Sequence, residues 1–167
     1  MASQDRTKDL VLKSLLVAVA IVVSLFERYL PAVSFFPGAK LGLANSITIV
    51  AMLKYSRKDA LAMLIIRVIL TSLLGGGLYS MLYSMSGGLL SFLVMSILIT
   101  FKDKYVTLIG VSIAGGLFHN LGQLFVASIF MKSSLIFSYL PFLSVAGIMT
   151  GVLVGMVAKK TFELLPN

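Results

Sequence analysis

The chain carries one histidine, His119, inside the run AGGLFHNLGQ at positions 114–123. Residues four apart on a helix share a face, so the His119 imidazole and the Gln123 amide project together, with Asn120 beside them. An imidazole and two amides offer the donors and acceptors that hold a polar small molecule. They also serve as interhelical joints, at roughly 0.6–2 kcal/mol each. Two other stretches bring compatible groups. PGAKLGLAN, at 37–45, sets Lys40 and Asn45 among glycines, and Arg67 interrupts the apolar run 60–74 with Thr71 one turn along its face. Glu27 is the acidic residue placed to pair with Arg28, Lys40 or Arg67. Lys40, Asn45, Arg67, His119, Asn120 and Gln123 are therefore the candidate binding residues.

Catalytic constellations are missing. There is no cysteine, so no disulfide, thiolate metal site or Cys-ligated cluster, and a single histidine excludes any site needing two. No GxxxxGK[ST] loop is present, so the chain does not use ATP by itself. Asp5, Asp9, Asp59 and Asp103 fall in charged segments between apolar runs, which gives no aspartate-rich cradle for a Mg²⁺–diphosphate. The expectation is a protein without intrinsic catalysis and without a metal site, its cofactor undetermined.

The elements that position these residues follow from composition. Of 167 residues, 59% are hydrophobic and 12% charged, and mean hydropathy is +1.04. A soluble domain has about 45–50% apolar and about 25% charged residues, so this is an all-α integral membrane protein. A crossing helix needs roughly 20 mostly apolar residues. Candidates are 10–26, a short run at 41–53, 60–74, 77–101 with a possible break at Ser86-Gly87-Gly88, 105–130 and 137–158. That is six transmembrane helices in one domain, 10–158, with tails 1–9 and 159–167. The first run is followed by Glu27 and Arg28 rather than a small-residue cleavage site, so it reads as a retained span.

The basic residues orient the spans. Arg6, Lys8, Lys13, Lys54, Arg57, Lys58, Lys102, Lys104, Lys159 and Lys160 fall on one side, with Arg28, Lys40 and Lys132 on the other. By the positive-inside rule both termini are cytoplasmic. The net charge of +8 then reports topology beside anionic lipid and not nucleic-acid binding.

Glycine-interrupted hydrophobic segments point to transport sites, because irregular backbone at membrane depth is tolerated only beside protein or a cavity. Pro37-Gly38, Gly42, Gly75-Gly76-Gly77 and Ser86-Gly87-Gly88 all lie toward the outer side, as do most of the polar residues. An outward-facing pocket is expected. Gly147, Gly151 and Gly155 form a GxxxGxxxG stripe open to close packing within the fold or to a partner protein.

PGAKLGLAN, SGGLLSFLVM (86–95) and AGGLFHNLGQ resemble the Gx transporter family, whose members are often described as heptaprenyl diphosphate synthase component I; the resemblance covers about residues 8–160. That family is similar in size and six-helix plan to the substrate-binding S components of energy-coupling factor (ECF) transporters. The resemblance implies a multi-pass subunit of the bacterial plasma membrane that captures a small molecule from outside. It would work with a membrane coupling protein and cytoplasmic ATPases. Lys40, Asn45, His119, Asn120 and Gln123 would be binding residues. S components commonly couple through an AxxxA pair on the first helix, where this chain has Ser14/Ala18 and Ala20/Ser24. The alternative implied is a non-catalytic membrane component of an isoprenoid/quinone or extracellular electron-transfer system.

Overall fold

Polar residues at the ends of the apolar runs set the helix boundaries. Ser56 caps α3 (Arg57–Thr71): its Oγ accepts from the Asp59 amide at 3.1 Å and donates to Asp59 Oδ2 at 2.8 Å. Thr107 does the same for α5 (Leu108–Met131), accepting from Gly110 N at 3.1 Å. Lys132 ends α5 in the left-handed region at φ 48°. Pro141 sits in the first turn of α6 (Leu140–Leu164), where its missing N–H leaves no gap in the helix.

In this computed structural model residues 2–27, 42–102 and 104–165 are described. The expected features at Arg28, Pro37-Gly38, Lys40 and Asp103 lie outside the described residues. Within them the structure is helical, with α1 (Ala2–Phe26), α2 (Asn45–Lys54) and α4 (Gly77–Leu98) completing the set. Both expected tails continue their helices, since α1 begins at Ala2 and α6 runs to Leu164.

Four stretches are long and apolar enough to cross a membrane: Arg6–Phe26, Arg57–Phe101, Leu108–Met131 and Ser134–Leu164. The 45-residue stretch does not run straight. A π-helical turn at Ser72–Gly76 leads into Gly75 (φ 128°) and Gly77 (φ 68°), a backbone that L side chains rarely adopt. The chain folds back there, and Gly88 of α4 packs against Leu64 of α3. α4 then continues unbroken through Ser86-Gly87-Gly88. Those glycines serve a helix crossing: a Cβ on Gly87 would lie 2.7 Å from the His119 carbonyl, and one on Gly122 would lie 2.8 Å from that of Ser86.

The expected second span is only ten residues long as a helix, about 15 Å at 1.5 Å per residue. It is buried on every side from Asn45 to Met52, which marks a core helix rather than a lipid-facing one. Its ends locate it. The Leu43 amide, just before α2, donates to the Glu27 carboxylate at one end of α1. Tyr55, just after α2, lies under Lys13 near the middle of α1, with the ammonium 4.9 Å from the ring centroid. α2 thus runs antiparallel to α1 through the interior. Ile49, Val50 and Ala51 pack there with Leu16, Ala20, Met95, Val111, Val154 and Ala158. The outer faces carry Val22, Leu73, Leu93, Phe125 and Met149, all exposed, as lipid contact requires.

Candidate functional site

A polar ladder is built on α2, α3, α4 and α5 in this apolar interior. Asn45 opens α2 and stands at its centre. The Asn45 Oδ1 accepts from Arg67 Nη2 at 3.5 Å, and its Nδ2 lies 3.4 Å from both Ser91 Oγ and His119 Nδ1. The other ring nitrogen of His119 is 2.9 Å from Gln123 Nε2. Glu27, Asn45, Arg67, Ser91, His119 and Gln123 are all buried. The charges in the cluster are opposite in sign, with the Glu27 carboxylate acting electrostatically on Arg67.

Glycines fix the histidine from two sides. Gly42, at φ +83°, leaves room for a Cβ only 3.2 Å from both Asn45 Nδ2 and His119 Cδ2, while a Cβ on Gly87 would stand 3.0 Å from the other side of the ring. A left-handed conformation and close approach thus coincide at Gly42.

Four candidate residues, Asn45, Arg67, His119 and Gln123, converge in this cluster. Asn120 does not join them: its Nδ2 donates to the Leu143 carbonyl on α6 at 2.7 Å. One residue is about 100° of helix rotation, so Asn120 faces α6 where His119 faces α2. Lys40 lies outside the described residues. Thr71 shares the face of Arg67, but its hydroxyl donates back to the Arg67 carbonyl at 2.7 Å. Ser91 and Ser84 are additions that an apolar-run reading passes over, because serine is common in membrane helices and carries no spacing signal.

Unpaired polar atoms surround the ladder. Among the described residues, Arg67 Nε, Ser84 Oγ and Ser112 Oγ are buried without a hydrogen-bond partner. Arg67 and Ser84 line one void of about 10 Å³ with Glu27, Gly42 and His119. Ser112 lines a second of about 10 Å³ with Gly42 and Asn45. Each has room for about one water. Buried polar groups are nearly always paired, and a single water in each void is one way to pair these atoms; Tyr55 Oη, away from the cluster, is likewise buried without a partner. The helices are closed around the site, whereas a small organic ligand needs roughly 300–1,000 Å³.

The family described as heptaprenyl diphosphate synthase component I matches residues 16–161. Neither the curated proteins nor the solved structures give a match.

Proposed function

The chain belongs to the heptaprenyl diphosphate synthase component I family, and from that premise we propose that it is a non-catalytic, multi-pass membrane subunit that binds a small polar molecule at the His119 cluster. In this reading six crossings place both termini in the cytoplasm. The site faces the outer side, and the chain serves as the substrate-binding subunit of an uptake transporter. A separate membrane coupling protein and cytoplasmic ATPases supply the energy.

The observation that carries the reading is the set of orphaned polar atoms beside a buried Arg–Asn–His–Gln ladder. An arginine inside a membrane helix costs about 2.5–3.5 kcal/mol on the insertion scale and marks a functional site by default. The voids there hold about one water each, so in this reading the helices part to admit the ligand, whose groups then reach Arg67 Nε and Ser84 Oγ and complete the set. Coupling through small residues on α1 has one outward candidate: Ser14 and Ala18 are exposed, whereas Ala20 and Ser24 are buried.

The family's description favours a second reading, in which the chain is a membrane partner of an isoprenoid diphosphate synthase. Purified protein separates the two. Mass spectrometry of co-purifying small molecules, followed by thermal-shift titration with flavins and thiamine precursors, should reveal saturable binding. His119→Ala and Asn45→Ala should each weaken it at least tenfold while far-ultraviolet circular dichroism stays helical. Binding unchanged in both variants would remove the cluster as the site. No ligand, together with a stable complex with a synthase subunit, would establish the second reading.

A further inference from the structure

A separate feature lies at the N-terminal end of α5, while His119 sits at mid-helix. A cavity of about 810 Å³ opens between the turn joining α4 to α5 and the last turns of α6. His119 is eleven residues along α5 from Leu108, about 16 Å away along the axis, so the groove is distinct from the polar ladder.

The lining combines Lys102, Lys104 and Lys159 with Leu53, Ile109 and Phe162. Among the described lining residues Glu163 is the acidic one beside the three lysines, and Asp103, which separates Lys102 from Lys104 in sequence, lies outside the described residues. The lysines project from a shaped backbone. The Phe101 carbonyl accepts from the amides of Lys104, Tyr105 and Val106 at 3.3, 3.0 and 3.3 Å, which winds the turn around a single oxygen. Tyr105 lies under the Lys104 ammonium, 5.1 Å from centroid to nitrogen. The first turn of α5 enters the same lining through Leu108 and Ile109. Helix-start amides have no intrahelical acceptor and carry partial positive charge, which adds to the field of the lysines.

We propose that this groove binds a phosphate-bearing amphiphile, its head on Lys102, Lys104 and Lys159 and its chain along Leu53, Ile109 and Phe162. A soluble anion satisfies only the basic part, and a neutral lipid only the apolar part. Lysine ammoniums bind phosphate as point charges, and basic pockets between membrane helices take anionic headgroups. Such a ligand comes either from the surrounding leaflet, as an anionic phospholipid, or from solution, as an isoprenoid phosphate.

The full-length protein in detergent is titrated with phosphatidylglycerol, phosphatidylcholine, geranyl diphosphate, geraniol and inorganic diphosphate, read by native mass spectrometry and thermal shift. At least one of phosphatidylglycerol and geranyl diphosphate should bind ten or more times tighter than its control: phosphatidylcholine for the former, geraniol and inorganic diphosphate for the latter. The tighter of the two identifies the source. Lys104→Gln with Lys159→Gln, both at exposed positions, should weaken that binding at least tenfold, and Lys104→Arg should retain it. Arg6→Gln with Lys8→Gln removes the same charge outside the groove and should change it less than threefold. Equal losses in the two double variants would reduce the effect to a diffuse basic face and overturn the proposal. So would equal binding of the neutral and anionic amphiphiles, or inorganic diphosphate binding as tightly as geranyl diphosphate.

Discussion

Arg67 can only donate hydrogen bonds, so the oxygen of Asn45 must face it and the Asn45 amide nitrogen must face His119 Nδ1. A neutral imidazole has one donor and one acceptor. Nδ1 therefore accepts and Nε2 carries the proton; the Gln123 amide, whose nitrogen stands 2.9 Å from Nε2, must then be turned end for end so that its oxygen accepts that proton. Because the chain has one histidine, a ¹⁵N-histidine spectrum reads this tautomer without assignment. The expected result is a protonated Nε2 and a bare Nδ1, with Asn45→Ala mixing the tautomers. A protonated Nδ1 in the unaltered protein would overturn the chain of inference from Arg67. Gly87→Ala tests the packing around the same ring. Its Cβ meets a backbone carbonyl at 2.7 Å, so thermal unfolding in detergent should show destabilisation of about 1–3 kcal/mol. The pairing of His119 with Gln123 is legible in the sequence, because a four-residue spacing is local geometry. The pairing of Asn45 with His119, 74 positions apart, depends on how α2 crosses α5, and no local signal encodes that. Asn120 shows the limit of such reading: adjacency in sequence placed it with His119, but helix rotation points it at α6.

Among the elements, α5 and α6 share a close seam. A Cβ on Gly116 would lie 2.5 Å from the Gly147 carbonyl, one on Gly151 2.5 Å from Ile113 Cα, and one on Gly155 2.9 Å from Ile109 Cα. The GxxxGxxxG stripe is thus occupied within the fold, the first of the two uses its spacing allowed. Gly151→Leu should force the helices apart and destabilise the protein by about 3 kcal/mol or more. Gly77→Ala makes a useful contrast. No atom lies within 4 Å of its Cβ position and φ is +68°, so only backbone strain acts, about 1–2 kcal/mol. Gly77→Asn should cost as much as Gly77→Ala, since asparagine's tolerance is for the left-handed helical region and Gly77 has ψ 175°, a region essentially reserved for glycine; no loss in either variant would point away from backbone strain. Helix content and the long apolar stretches were readable from hydropathy. The nature of α2 was not, because residues 41–53 are as apolar as a lipid-facing span and only packing shows the helix enclosed. The glycines at 87 and 88 looked like helix breakers for a similar reason: composition does not distinguish a break from a crossing.

For the whole molecule, the contacts gather basic residues from distant parts of the chain at one end. Lys13 bridges Asp9 at 2.9 Å and Asp59 at 3.3 Å, tying the middle of α1 to the start of α3. Lys102, Lys104 and Lys159 meet beside Leu53, the last turn of α2. Glu27 and Leu43 meet at the far end of α1, fourteen residues from Lys13, or about 21 Å along the helix. The chain therefore returns between Leu43 and Tyr55 to the level of Lys13, midway along α1, by way of the buried α2. If the lysine-rich end is cytoplasmic, as the positive-inside rule requires, Ser56 is inside and Ser133, at the end of α5, is outside. The absence of native cysteine makes the test direct. A single cysteine at Ser133 should react with a membrane-impermeant maleimide on intact cells, and one at Ser56 should react only after lysis. The reverse pattern would invert the molecule and move the His119 cluster toward the cytoplasmic leaflet. Labelling of both positions from outside would deny an odd number of crossings between them, since α3, α4 and α5 lie between Ser56 and Ser133. An odd number of crossings between those positions is what the antiparallel order of α3, α4 and α5 demands.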